Sequence, residues 1–274
     1  MRRLRILLLT LALVSAPLPA VAFDAVAVPA EVLRSAGFGD LFVSFGQSVA
    51  TSPRQQGVTD ERFLRAWERD ALAAFGAGAL NDELAERLGG TLEVAELAGI
   101  ADFLASEFGH RIAALEYATQ TVPSDRQLAV LAKGQTLYWT ISDTRRDQFE
   151  ELMHLSGAEV SFALLSETLR AAAVSLHMSQ GTGDLDVPWE EINAGVTEQL
   201  LGMEDRLIEA TRATFAYTYD SLSDDELEAY LAFLRAPAAQ KFYGTATLVV
   251  GDIIRRTMLA LGASVAARLN AVQI

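Results

Sequence analysis

Two spacings in this sequence could do chemistry. Glu107-x-x-His110 and Glu151-x-x-His154 each set a carboxylate and an imidazole one helical turn apart. Two such pairs on separate helices are half of a carboxylate-bridged dimetal site, and the same four residues could serve a metal-dependent hydrolase. Their positions argue against that chemistry. Glu107 falls in the first turn of its expected helix and His154 in the last turn of another, where the helix dipole favours an acid and a base respectively. The pairs also occupy non-equivalent places in the internal repeat described below, whereas a duplicated bundle would place its ligands symmetrically. Glu107, His110, Glu151 and His154 are therefore rejected as metal ligands, and no catalytic residue, metal or cofactor is expected. Adjacent acids such as Glu150-Glu151, Glu190-Glu191 and Asp224-Asp225 point to different sides of a helix. The chain has no Gly-x-Ser-x-Gly elbow, no His-Glu-x-x-His and no phosphate-binding loop with a lysine.

Composition narrows the field further. Of 274 residues 51% are apolar, so a substantial core can form. Acidic residues outnumber basic ones by 36 to 22, and the formal net charge is −14. So acidic a chain without a basic block is a poor partner for nucleic acid, whose binding depends on phosphate neutralisation. The absence of cysteine excludes disulfides, a thiol nucleophile and thiolate-bound zinc.

Residues 1–22 read as an address. Arg2, Arg3 and Arg5 precede an apolar run from Ile6 to Val14 broken only by Thr10, then Pro17 and Pro19, then Ala20-Val21-Ala22. This is the layout of a secretory signal cleaved after Ala22. Loss of its three arginines takes the net charge from −14 to −17. No later stretch reaches the roughly 18 apolar residues of a spanning helix, so no transmembrane segment is expected in the mature chain. With the strong preference for arginine over lysine, the expected location is the periplasm of a bacterium with a GC-rich genome.

The elements that must position any site are helical throughout. Apolar spacing predicts helices over 28–50, 60–75, 82–89, 92–105, 107–120, 125–142, 144–156, 158–178, 188–219, 224–235 and 237–272. Ser223-Asp224-Asp225-Glu226 and Ser124-Asp125-Arg126-Gln127 read as capping boxes. The helices also repeat. Leu97, Ile100, Ala101 and Leu104 match Leu227, Tyr230, Leu231 and Leu234 at a constant offset, which also pairs Glu96 with Glu226, Phe103 with Phe233 and Arg111 with Lys241. Upstream, Val32-Leu33, Gly37 and Phe42 match Leu152-Met153, Gly157 and Phe162, and the loop 179–186 is a natural place for the inserted residues. The expected organisation is a signal over 1–22, one helical half over 23–122, a connector over 123–143 and a second half over 144–274: an all-α bundle built by internal duplication.

The stretch from Glu226-Leu227 through Phe233-Leu234-Arg235-Ala236-Pro237 to Gln240-Lys241 resembles the signature of a family of exported bacterial helical proteins, the domain of unknown function 2059. Glu226, Leu227, Phe233, Pro237, Gln240 and Lys241 fit that signature, while Leu234, Ala236 and Ala239 stand where it has Tyr, Ser and Gly. A fainter copy runs through Glu96, Leu97, Phe103, Leu104, Ser106, Gly109 and Arg111. The resemblance implies a helical fold and export, and no activity. Physically the stretch reads as a corner, with one helix ending before Pro237 and the next starting there. Arg111 and Lys241 are read as structural, with capture of an anionic partner as the alternative.

These readings together describe a non-catalytic binding or structural protein of the cell envelope. Its expected partner is another envelope protein or an apolar ligand held in a groove between the halves. Two alternatives stand beside it. One is the metal-dependent enzyme or hydrolase above. The other is a peripheral membrane protein using 245–272, whose polar face carries Arg255, Arg256 and Arg268.

Overall fold

In the computed structural model, the described residues are 29–55, 57–76, 78–123, 125–156, 170–175 and 203–271, with isolated positions 167, 168, 190, 194, 195, 197 and 198. The expected signal, the helix over 158–178 apart from 167, 168 and 170–175, the start of the helix over 188–219, Gly157, Phe162, His177 and the loop 179–186 lie outside them. Among the described residues all regular structure is helical. In chain order the helices are α1 (Pro29–Ser35), α2 (Leu41–Gln55), α3 (Glu61–Phe75), α4 (Ala79–Gly89), α5 (Val94–Ala105), α6 (Glu107–Gln120), α7 (Gln127–Thr140), α8 (Asp143–Leu155), α9 (Met203–Thr218), α10 (Asp224–Arg235) and α11 (Pro237–Ala271).

Local chemistry sets most of the boundaries. Asp60 caps α3 by accepting from the amides of Arg62 and Phe63, and Ser142 caps α8 through the amide of Arg145. Ser223 and Glu226 form the expected reciprocal box at the start of α10. The single helix expected over 28–50 is instead α1 and α2. Gly37 stands at φ +87°, donating to Arg34 O, while the amide of Phe38 reaches back to Leu33 O at 2.9 Å. That is a Schellman ending, and its left-handed residue is the one glycine tolerates best. The box expected at Ser124 does not open a helix at 125. Helix α7 begins at Gln127, whose Nε2 lies 3.5 Å from Val122 O. Residues 136–140, rich in β-branched and aromatic types, lie within α7, inside the helix expected over 125–142.

Two apolar cores result. The first joins α1–α5 to α11, around Phe42, Trp67, Phe75, Leu84, Leu97 and Phe242. The second joins α6–α10, around Ile112, Phe149, Leu152, Leu227 and Leu231. The core boundary therefore does not follow the boundary between sequence halves. Helix α6 closes the first half in sequence but packs its Ile112 into the second core. Helix α11 closes the second half but carries Phe242, Val250, Ile253 and Val265 through the first, against α3, α4 and α5. At 35 residues α11 is unbroken, and Gly251 and Gly262 are buried within it. The tightest helix pair is α7 on α9, where a Cβ on Gly134 would lie 2.0 Å from Ala213 O. Only glycine admits that approach.

Candidate functional site

The residues singled out in sequence converge where the two cores meet. Helices α5 and α6 are joined by one extended residue, Ser106 (φ −69°, ψ 157°), and α10 and α11 by one extended residue, Ala236 (φ −60°, ψ 134°). Each corner starts with a bond to the same place: Ser106 N donates to Phe103 O and Ala236 N to Phe233 O, both at 3.0 Å. At the first corner the Ser106 hydroxyl accepts from Gly109 N at 2.9 Å and donates to Phe103 O at 2.7 Å. At the second corner Ala236 has no hydroxyl, and Gln240 supplies the polar group, donating from Nε2 to Leu234 O at 2.7 Å. Pro237 begins α11, where the missing amide leaves no helical bond unmade.

The corners grip one another reciprocally. Lys241 on α11 binds Glu96 on α5 at 2.7 Å, and Arg111 on α6 binds Glu226 on α10. Both acids also accept from the backbone at the start of their own helices, Glu96 from Glu93 N and Glu226 from Ser223 N, each at 2.8 Å. The Lys241 ammonium, then the Glu93 amide, hold the Glu96 carboxyl below its ordinary range. The Ser223 amide, reinforced by Arg111, does the same for Glu226. Between the two ion pairs Phe103 lies on Phe233, with ring centres 3.6 Å apart and planes within 6°. Leu97 and Leu227 are both buried at the first of the matched apolar positions. Of the signature residues, Glu226, Phe233, Gln240 and Lys241 make side-chain contacts within the fold, Leu227 is buried, and Pro237 starts α11. Arg111 and Lys241, the candidates for an anionic partner, are both ion-paired intramolecularly.

The two Glu-x-x-His pairs are not brought together. Glu107, His110 and His154 are exposed, while Glu151 holds Arg235 through two bonds of 2.6 Å. That guanidinium lowers the Glu151 carboxyl. Among the described residues no three of His, Asp and Glu are grouped as metal ligands. The arginines of 245–272 are engaged as well. Arg256 bonds Glu83 at 2.5 Å and Asp252 at 3.2 Å, Arg255 pairs with Asp252, and Arg268 with buried Asp70 at 2.9 Å. The apolar side of α11 is inside the first core. Among the described residues no helix is long and apolar enough to cross a membrane.

Sequence reading missed one cluster. Beside the stacked rings is a cavity of about 50 Å³ lined from both halves, including Phe103, Leu104, Ile112, Glu116, Tyr230 and Tyr243. The Tyr219 and Tyr230 hydroxyls both donate to Glu116 Oε1, at 2.7 and 3.0 Å. Burial pushes the Glu116 carboxyl up, and the two hydroxyls only partly offset this. Burial and the neighbouring carboxylate raise Tyr219 and Tyr230 well above the ordinary phenol range, and Tyr243 rises for the same reasons. The signal was present in the sequence. Glu116 lies four residues after Ile112 on the apolar stripe of α6, where an acid is out of place.

No family model, curated protein or solved structure gives a significant match to the chain.

Proposed function

We propose that this is an exported protein of the bacterial cell envelope, periplasmic after cleavage behind Ala22, and that it binds its ligand without transforming it. The observation that carries the binding reading is the cavity at the meeting of the halves, lined by both and by the half-buried carboxyl of Glu116. Its volume suits a small molecule better than the peptide or large apolar ligand that a long groove would take. The basic start, apolar run and Ala-Val-Ala of residues 1–22 support export. So does the resemblance to the domain of unknown function 2059.

We further read the chain as a duplicated half whose copies have exchanged their closing helices, a unimolecular counterpart of a domain swap. In support, residues at one constant offset make reciprocal contacts: Glu96 to Lys241 against Glu226 to Arg111, with Phe103 facing its own counterpart Phe233. The helix pairs also correspond. Helix α1 packs on α4 and α5 as α8 packs on α9 and α10. Expression of the full chain, followed by fractionation, amino-terminal sequencing and native mass spectrometry, tests the proposal. A periplasmic chain beginning at Phe23 that carries a small adduct is expected. An intact amino terminus retained in the cytoplasm overturns export, and turnover of the adduct overturns binding without transformation.

A further inference from the structure

The two cores differ in one respect that packing does not require. At the constant offset, Glu116 corresponds to Ala246, which is fully buried, and Tyr230 to Ile100, 1% exposed. The first core is thus closed by apolar residues at two positions where the second carries a carboxyl and a phenol, while Tyr243 and its counterpart Ala113 both line the cavity. A carboxyl drawn even partly out of water opposes folding in its ionised form unless that form gains a partner. Among the described residues no lysine, arginine or histidine forms an ion pair with Glu116, which is half-buried and whose partners are the two tyrosine hydroxyls. Both hydroxyls engage Oε1, so the ionised form has no cationic partner among the described residues. The rings of Phe103, Tyr230 and Tyr243 contribute to the same cavity wall as Glu116, and aromatic faces attract cations when desolvated. Ser35 and Ser156, also on the wall, are partly exposed.

We infer that this cavity binds a small alkylammonium ion, its N–H groups donating to Glu116 and its alkyl part lying against Leu104, Ile112 and Leu234. The inference rests on the binding reading above and names its ligand class. Size sets the scale. A cavity of about 50 Å³ has room for roughly three to five water-sized positions, so the ligand carries about that many non-hydrogen atoms. The isopropylammonium ion fits, and propan-2-ol is its uncharged isostere.

The test is calorimetric titration of the purified full chain near pH 8 with isopropylammonium chloride, with propan-2-ol, and with sodium chloride as the salt control. The amine is expected to bind and the alcohol to bind at least about tenfold more weakly. Glu116→Gln should weaken the amine by a similar factor and leave the alcohol unchanged. Glu107→Gln, an exposed acid on the same helix, should change neither. Equal binding of amine and alcohol overturns the cation inference and leaves the binding reading standing. Binding of neither overturns both. A readout independent of the variants comes from the wild-type chain: nuclear Overhauser contacts from the amine methyls to the rings of Tyr230 and Tyr243. Their absence when the amine is bound elsewhere also overturns the inference.

Discussion

Removal of the Phe103 ring probes the clasp directly. Phe103 is half-buried and lies flat on Phe233 with centres 3.6 Å apart. Full burial of a phenylalanine contributes about 1.5–3 kcal/mol, so a half-buried ring contributes roughly 1–1.5 kcal/mol by area. A well-placed aromatic pair adds about 0.5–1.5 kcal/mol. Phe103→Ala should therefore destabilise by about 1.5–3 kcal/mol. For a chain of this size each kcal/mol lowers Tm by about 2–4 °C, giving a fall of about 3–12 °C. Phe233→Ala should match it, because the two rings occupy corresponding corners. The assay is equilibrium urea unfolding of the two single variants and the double variant. The double variant should fall short of additivity by about 0.5–1.5 kcal/mol. Additivity within about 0.3–0.5 kcal/mol, or single variants that differ severalfold, would refute the idea that these rings form one reciprocal contact.

Four further outcomes follow from the packing and the charges. Leu97→Ala and Leu227→Ala, buried at matched positions in different cores, should each cost about 2–5 kcal/mol by urea unfolding. Gly134→Ala should destabilise by about 1–3 kcal/mol, since its Cβ would enter the space of Ala213 O; an unchanged midpoint would mean that α7 and α9 separate freely. Burial raises Glu116 in the folded state, so its protonated form is preferred there and stability falls as pH rises from the unfolded value, about 4.3, through the folded one. Glu116→Gln should accordingly raise Tm at pH 7 and leave it unchanged near pH 3. Burial raises the Asp70 carboxyl, but Arg268 and Ser264 together outweigh it and hold the group low. Its contribution is present above about pH 3.9 and is lost as pH falls through the folded value. Asp70→Asn should remove about 1–3 kcal/mol at pH 7 and flatten the acid limb of the stability profile.

Much of the local structure was legible because it depends on neighbours in sequence. The bounds of α6 and α10 follow from Ser106, Ser223 and Pro237, whose capping and ring chemistry acts within one turn. The break between α1 and α2 is equally local, set by Gly37 in the left-handed conformation, a turn that apolar spacing alone does not register. The placement of α6 in the second core and α11 in the first was of another kind. Periodicity states which face of a helix is buried and is silent on which core receives it, so Ile112 and Phe242 read alike in either arrangement. The repeat offset did carry usable information. It sets an acid at both members of one matched pair, Glu96 and Glu226, and a base at both members of another, Arg111 and Lys241, and a reciprocal grip requires such a pattern. The Glu-x-x-His spacing held no such information, since Glu151 has a nearer use in holding Arg235. The polar cluster around Glu116 draws on α6, the turn after α9, α10 and α11, and no single window of sequence contains it.

The proposed exchange of closing helices can be tested by cutting the chain in the connector. Residues 23–143 and 144–274 are produced separately, and each is followed alone and mixed by circular dichroism, sedimentation and urea unfolding. Each core takes its closing helix from the other half, so each fragment alone should lack a cooperative transition. The mixture should form a one-to-one complex with the helicity of the whole chain. Two fragments that each unfold cooperatively alone, with nothing gained on mixing, would contradict the account.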